Sequence, residues 1–282
     1  MRIVTLIENH RNDSAPALVA EHGLSLHIAH EGQSILFDTG ASGAFSQNAI
    51  RLGVDLTTVD RVVLSHHHYD HGGGLETFLA ANSHASIHLR RPPQGEPTVR
   101  IPGGMKRYIG LDTHLFERYA DRFVFIDRFA EIAPEVFLLA RIDQTYPRPR
   151  GNDYLYLRRA DGYVHDPFRH ELILAIREAD GIVMFTGCSH SGALNMVRTV
   201  VERFPKVPIK AVVGGFHLIG PPLINPMGDT EAAVLAIGRE LLTFPVERYY
   251  TGHCTGAQAY QLLRGVMGER LQGLSTGTVI IV

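Results

Sequence analysis

The alternation of apolar and polar positions divides the chain into strands and helices before any chemistry is considered. Residues 1–9 carry the run Ile3-Val4-Thr5-Leu6-Ile7, which reads as a first strand rather than a signal peptide. Leu24 to His30 alternate, Glu31-Gly32 turns, and Ser34 to Asp38 returns, which predicts a hairpin. Helical spacing runs from Phe45 to Leu52 and stops at Gly53, a residue suited to the left-handed helix end. Arg61-Val62-Val63-Leu64-Ser65 then reads as a short buried strand.

Periodicity breaks between about 90 and 150, where Pro92, Pro93, Pro97, Pro102, Pro134, Pro147 and Pro149 fall. We expect a lid or insertion here, not a separate domain. Its many arginines either hold an anionic group of a substrate or are solvated and balanced by nearby carboxylates. Beyond it, Glu171 to Arg177 and Ile182 to Phe185 predict a hairpin around Ala179-Asp180-Gly181. Helices are predicted from about Gly192 to Phe204, Thr230 to Leu242 and Gly256 to Met267. Strands are predicted at Ile209 to Val213, near Arg248-Tyr249-Tyr250, and at Val279 to Val282. Strands packed under helices in both halves predict an α/β fold, a four-layer α/β sandwich, with residues 1–282 as a single domain. The two halves show no sharp sequence repeat.

The strand at 61–65 delivers the most informative segment, His66-His67-His68-Tyr69-Asp70-His71-Gly72-Gly73-Gly74. Side chains alternate along extended backbone, so His66 and His68 point the same way. Asp70 and His71 follow in the loop, where the chain can turn them inward. The three glycines let the backbone pass close to an ion and begin a helix with no Cβ in the way. Three imidazoles and a carboxylate suit zinc, iron or manganese. Surface chance does not produce that combination at a strand exit.

Three later histidines share one context: an apolar strand, one or two glycines, then the histidine. They are Thr186-Gly187-Cys188-Ser189-His190, Gly214-Gly215-Phe216-His217 and Thr251-Gly252-His253-Cys254. Strand ends are where α/β proteins gather functional groups. His190 and His253 are expected as metal ligands, and His217 as a ligand, a residue that supports a ligand from behind, or one that faces substrate. Cys188 and Cys254 are expected chiefly as small buried residues beneath their loops, with a thiolate ligand as the alternative for Cys188. Asp166, His170 and Glu171 are expected at the surface, unless one of them orients a metal-bound histidine.

Composition narrows the partners. A net charge of −2 creates no field that recruits nucleic acid or an anionic membrane. Two cysteines are too few for a disulfide framework, which points to a reducing compartment, the cytoplasm. No apolar stretch approaches the roughly 20 residues needed to cross a bilayer.

The segments His66-x-His68-x-Asp70-His71 and Leu36-Phe37-Asp38-Thr39-Gly40 resemble the signature of the metallo-β-lactamase superfamily. Agreement extends to one branch, the family of 7,8-dihydropterin-6-methyl-4-(β-D-ribofuranosyl)aminobenzene-5′-phosphate synthases. It rests on residues 21–25, 65–75, 186–192, 214–218 and 253–256. The resemblance implies the αβ/βα sandwich and a site for one or two metal ions at one edge of the sheets. It also implies that His253 is the last ligand histidine. One departure concerns the position where the superfamily carries a bridging aspartate, which is here Cys188.

These features lead us to expect an enzyme holding one or two zinc ions, or iron or manganese, with His66, His68, Asp70, His71, His190 and His253 as ligands. A metal lowers the pKa of bound water from about 15.7 toward about 7, so hydroxide is available at neutral pH. The leading expectation is a metallo-hydrolase whose metal-bound hydroxide attacks a phosphoester or ester-like bond of a small anionic substrate. Asp70 doubles as the catalytic proton acceptor. The alternative that the resemblance implies is C–N bond formation with loss of pyrophosphate. A metal-holding sensor or binding protein is the non-enzymatic alternative.

Overall fold

The computed structural model describes residues 1–101, 103–220 and 227–282, so Pro102 of the proline-rich stretch lies outside the described residues. The chain forms two compact units. The first comprises Met1–Arg91, Gly110–Asp127 and Leu274–Val282, and the second Pro92–Ile109 and Arg128–Gly273.

In the first unit, Arg2–Ile7, Ser25–His30 and Gln33–Phe37 form an antiparallel meander, and Val279–Ile281 pairs antiparallel with Arg2–Ile7. From Gln33–Phe37 the sheet continues in parallel through Arg61–Val63, Ser86–Leu89 and Phe123–Phe125. Helices Ala44–Arg51 and Leu75–Ala81 place Phe45, Ala49, Leu75 and Phe78 in a core with Val4, Leu6, Leu36, Val62 and Ile87. Each fully buried phenylalanine contributes about 1.5–3 kcal/mol. The strand expected to reach Ser65 stops at Val63. Ser65 leaves the ladder because its amide is taken by the Asp38 carboxylate, at 2.7 Å.

The second unit has the same plan with different strands. Gly181–Phe185, Ile209–Val213, Val246–Thr251 and Leu271–Gly273 run parallel. Ile173–Glu178, Val136–Leu139 and Ala130–Ala133 extend that sheet antiparallel. Helices Ala193–Arg203, Glu231–Leu241 and Ala257–Met267 bury Met196, Val200, Val234, Leu241 and Leu263 against Ile173, Ile182, Met184 and Val212. Thr230 caps its helix by accepting the Ala233 amide at 3.2 Å. Each unit therefore supplies a helix layer and a sheet layer, as the α/β reading requires.

The stretch from 90 to 150 is shared between the units. Glu96–Arg100 and Lys106–Tyr108 join Leu155–Arg159 and Gly162–His165 in a four-stranded antiparallel sheet of the second unit. Several arginines here have structural work. Arg122 is buried, donating to the Ala85 carbonyl at 2.7 Å, and Arg91 lies 3.1 Å from the Asp127 carboxylate. No helix among the described residues is long and apolar enough to cross a membrane.

Candidate metal centre

In the first unit the donors sit where parallel strands end. Phe37 and Val63 are register partners, so Asp38 and Ser65 leave the sheet side by side. Asp38 is fully buried and has left-handed backbone, at φ 58°. Its carboxylate accepts the Ser65 amide at 2.7 Å, the Ser65 hydroxyl at 2.8 Å and His71 Nδ1 at 2.7 Å. The Ser65 proton is thus spent on Asp38, and Ser65 Oγ accepts from His66 Nδ1 at 2.8 Å. Both rings are held as the tautomer with the lone pair on Nε2, the form that ligates a metal.

The remaining donors of this loop gather around the same rings. The His66 ring lies 4.5 Å from that of His68 and 4.2 Å from that of His71. Asp70 Oδ2 is 3.6 Å from His71 Nε2 and 3.3 Å from Nε2 of the half-exposed His22. His67 points elsewhere, bonding the Arg90 carbonyl at 2.7 Å. The glycines answer a crowding demand: a Cβ on Gly73 would overlap the Ala41 carbonyl, and one on Gly74 the Thr39 carbonyl. They let the donor loop lie directly on the segment that carries Asp38.

In the second unit the three glycine-bearing loops each deliver one histidine from a parallel strand end. Donor atoms of Cys188, His190 and His217 lie within 4.8 Å of one another. Cys188 Sγ is also 3.3 Å from His253 Nε2. All four residues are buried. His217 and His253 adopt left-handed backbone, at φ 48° and 47°, as does Ser189 at 61°. That conformation costs an L-residue about 1–2 kcal/mol, so the fold spends stability to aim these side chains. Neither ring nitrogen of His217 has a hydrogen-bond partner among the described residues, although both are buried. A buried imidazole left in that state fits a residue that faces an ion or a substrate.

His190 is the most firmly held of these donors. Its ring stacks on Phe168 with centroids 4.2 Å apart, and its Nδ1 donates to Asn152 Oδ1 at 2.9 Å. Asn152 Nδ2 returns a bond to the His190 carbonyl at 2.8 Å, which fixes the amide's orientation. The two oxygens of Glu171 accept the amides of His190 and Ser191, each at 2.8 Å. Burial pushes the Glu171 carboxyl above its ordinary value, and the bonds from Ser191 and His190 oppose this. This engagement explains why the strand expected from Glu171 begins only at Ile173.

The surface placement expected for Asp166, His170 and Glu171 is corrected, for all three are buried. Asp166 Oδ2 and His170 Nε2 form a pair at 2.9 Å that removes both from water. Cys254 packs beneath its loop as expected, with Sγ 3.3 Å from the Cys188 carbonyl, whereas the Cys188 thiol stands among the donors. Neither Cys188 nor Cys254 is in a disulfide. Sequence reasoning missed the parts played by Asp38 and Asn152, whereas for Glu171 a role at a ligand histidine was the stated alternative to the surface. Only Asp38 carried a signal, through its place at a strand end beside the donor strand.

The chemistry of the donor sets, imidazole and carboxylate in one unit and imidazole and thiol in the other, fits a divalent metal. The family model of the metallo-β-lactamase superfamily matches residues 20–97, and the chain belongs to that superfamily. Its likeness to one relative runs almost end to end. It is 28% identical over 295 residues to the 7,8-dihydropterin-6-methyl-4-(β-D-ribofuranosyl)-aminobenzene-5′-phosphate synthase of Methanocaldococcus jannaschii, covering 99% of this chain and 96% of the relative. An uncharacterized protein of the same organism is 31% identical over 214 residues, 74% of this chain and 77% of that protein. Among solved structures, Tm1679, described as a metal-dependent hydrolase of the β-lactamase superfamily, superposes with a TM-score of 0.81 at 29% identity. That match covers 100% of this chain and 99% of the other. The fold class is accordingly the α/β fold of the metallo-β-lactamase proteins.

Proposed function

We propose that this chain is a metal-dependent hydrolase that cleaves a phosphoester or other ester-like bond of a small anionic substrate. The observation that carries the reading is the fixing of histidine tautomers: Asp38, Ser65 and Asn152 hold His71, His66 and His190 with their Nε2 lone pairs ready for a metal. Partners of that kind fix the ring orientation of a ligand histidine and raise its basicity. The likeness to a structure described as a metal-dependent hydrolase supports the same reading.

The proposed ligands are His66, His68, Asp70, His71, His190 and His253, with Cys188 and His217 as further donors. A bound zinc, iron or manganese ion would make a nucleophile available from water at neutral pH and polarise the oxygen under attack. Asp70 accepts and orients the proton of the attacking water, His22 stands against its carboxylate, and Asp38 keeps the His71 ring from turning. Glu171 locks the backbone of the His190 loop, so that ring approaches from one direction only. We place the protein in a reducing compartment, the cytoplasm, where the Cys188 thiol stays reduced.

A second reading is favoured by the full-length likeness to the synthase: C–N bond formation with release of pyrophosphate. The same side chains would then hold the leaving group and not an attacking water. The test is elemental analysis of chelator-free protein, followed by assays for phosphoester hydrolysis and for pyrophosphate release. We expect about one or two ions per chain. His68→Ala and Asp70→Ala should each lose more than about a hundredfold in metal affinity and in turnover, while circular dichroism stays unchanged. Unaltered metal content and turnover in either variant would sink the assignment.

A further inference from the structure

The second unit holds a cavity of about 510 Å³ that none of the proposed chemistry uses. Its size falls in the range that takes small organic ligands. The walls are mainly apolar, from Leu194, Phe216, Leu218, Ala233 and Ile237. Arg148 and Arg150 supply cationic groups, and Asp229 and Glu240 anionic ones. These charges are not equally engaged. Glu240 accepts the Tyr146 hydroxyl at 2.7 Å, and Asp229 lies 3.8 Å from Arg150. Arg148 bonds the neutral Gln144 oxygen at 2.7 Å and has no carboxylate within ion-pair distance among the described residues.

The cavity is built into the donor loops of its own unit. Phe216 and Leu218, both buried, flank His217 in the chain, and Gly192 of the wall lies two residues beyond His190. The wall segment 146–150 leads directly into Asn152, which bonds both the ring and the carbonyl of His190. At its other end, Tyr146 exchanges two backbone bonds with the Asn195 side chain, at 2.7 and 2.8 Å. One stretch of chain therefore shapes the cavity and positions a candidate ligand, and it is anchored at both ends.

We infer that this cavity is the specificity pocket of the enzyme, taking a flat, largely apolar ring of the substrate whose anionic substituent rests on Arg148. The inference deepens the enzymatic reading given above and rests on it. An aromatic ring suits the pocket because Phe216 and Ile237 offer broad apolar contact at little entropic cost. A carboxylate, sulfonate or phosphate suits Arg148 because its guanidinium presents a planar fork of donors. Neutral rings are held by the walls alone and more weakly.

The test is equilibrium binding of two probes, naphthalene-1-sulfonate and the neutral naphthalene-1-methanol, to the metal-loaded protein, with metal content measured on the same samples. Wild type should bind the sulfonate saturably and more tightly than the alcohol. Arg148→Ala should weaken the sulfonate about tenfold and leave the alcohol within about twofold. Ala233→Trp, which fills the cavity, should weaken both by more than about tenfold. Should that variant fail to fold, the Arg148→Ala contrast decides alone. Equal affinities across the variants, or no saturable binding by a protein that does load metal, would overturn the pocket and leave the metal reading standing. Arg148-dependent binding by a protein that takes up no metal would overturn its assignment to a substrate.

Discussion

In the first unit the candidate donors come from one run of chain, His66 to His71, whereas in the second the histidines arrive singly from three strand ends, with Cys188 beside His190 on the first of them. The support differs in the same way. The contiguous loop is organised by one buried carboxylate, Asp38, which grips Ser65 and His71 and reaches His66 through the serine. The dispersed donors are held by backbone: left-handed φ at His217 and His253, close-packed glycines, and two amides bound to Glu171. A loop that bends back on itself can share one organiser. Donors on separate loops cannot, so each is aimed by its own local geometry. Damage should accordingly spread widely from one residue in the first unit and stay more local in the second.

The largest effect should come from Asp38→Ala. It strands two buried donors, the Ser65 amide and His71 Nδ1, and releases the His66 ring through Ser65. We expect a loss of about 3 kcal/mol in stability and of about 10–100-fold in metal affinity. Denaturant unfolding and metal titration measure the two. Metal affinity unchanged in this variant would break the contrast, since the contiguous loop would then need no organiser.

Next comes Gly214→Ala. Gly214 has φ 149°, and a Cβ there would overlap both the carbonyl and the hydroxyl oxygen of Thr186. Thr186 begins the Cys188 loop, so the strain falls where two donor loops leave neighbouring strands. A destabilisation of about 2–3 kcal/mol is expected, with the His66 loop unaffected. Hydrogen exchange resolved along the chain would show it. Loss of protection in residues 61–75 to the same degree would mean the two units do not fail separately.

The same contrast explains what could be read from the sequence. The hairpin at 24–38, the helices at 193–203, 231–241 and 257–267, and the strand at 209–213 follow from periodicity, because local pattern and tertiary burial agree there. The His66 to His71 group was legible because its members are adjacent in the chain. His190, His217 and His253 were legible only through a repeated local context of strand, glycine and histidine. Asn152 was not legible, since it acts on His190 from 38 residues away, and Glu171, 19 residues away, was legible only as an alternative to the surface. Nothing about an isolated asparagine tells which distant ring it will meet. In the proline-rich stretch from 90 to 150 periodicity is lost for another reason. Proline stops helices, but Pro97 sits in a strand opposite Leu157, so that one proline marks sheet and not loop.

The smallest effect, taken per pH unit, concerns protons, and it too should divide the units. His27 and His88 are buried in the first unit, each with one ring nitrogen on a serine, Ser34 and Ser86, at 2.9 and 2.8 Å. Burial, with Arg2 near His27 and Arg61 near His88, lowers both to about 4 from an ordinary value of 6.5. Both rings are therefore neutral in the folded state across the range where the unfolded chain takes up protons. The unfolded state then binds more protons between pH 6.5 and 4, and stability falls as pH falls through that window. Above pH 6.5 neither state is charged at these positions and the contribution is complete. Each ring can add a slope of at most about 1.4 kcal/mol per pH unit, and residual contact with solvent makes about half of that the reasonable expectation. Unfolding measured from pH 7.5 to 4.5 should show this slope. It should flatten in the variant carrying His27→Gln and His88→Gln, and amides of residues 25–37 and 86–89 should lose protection before those of residues 181–185 and 209–213. A slope untouched by the two substitutions would place the proton uptake elsewhere, and the first unit would lose its claim to be the acid-sensitive one.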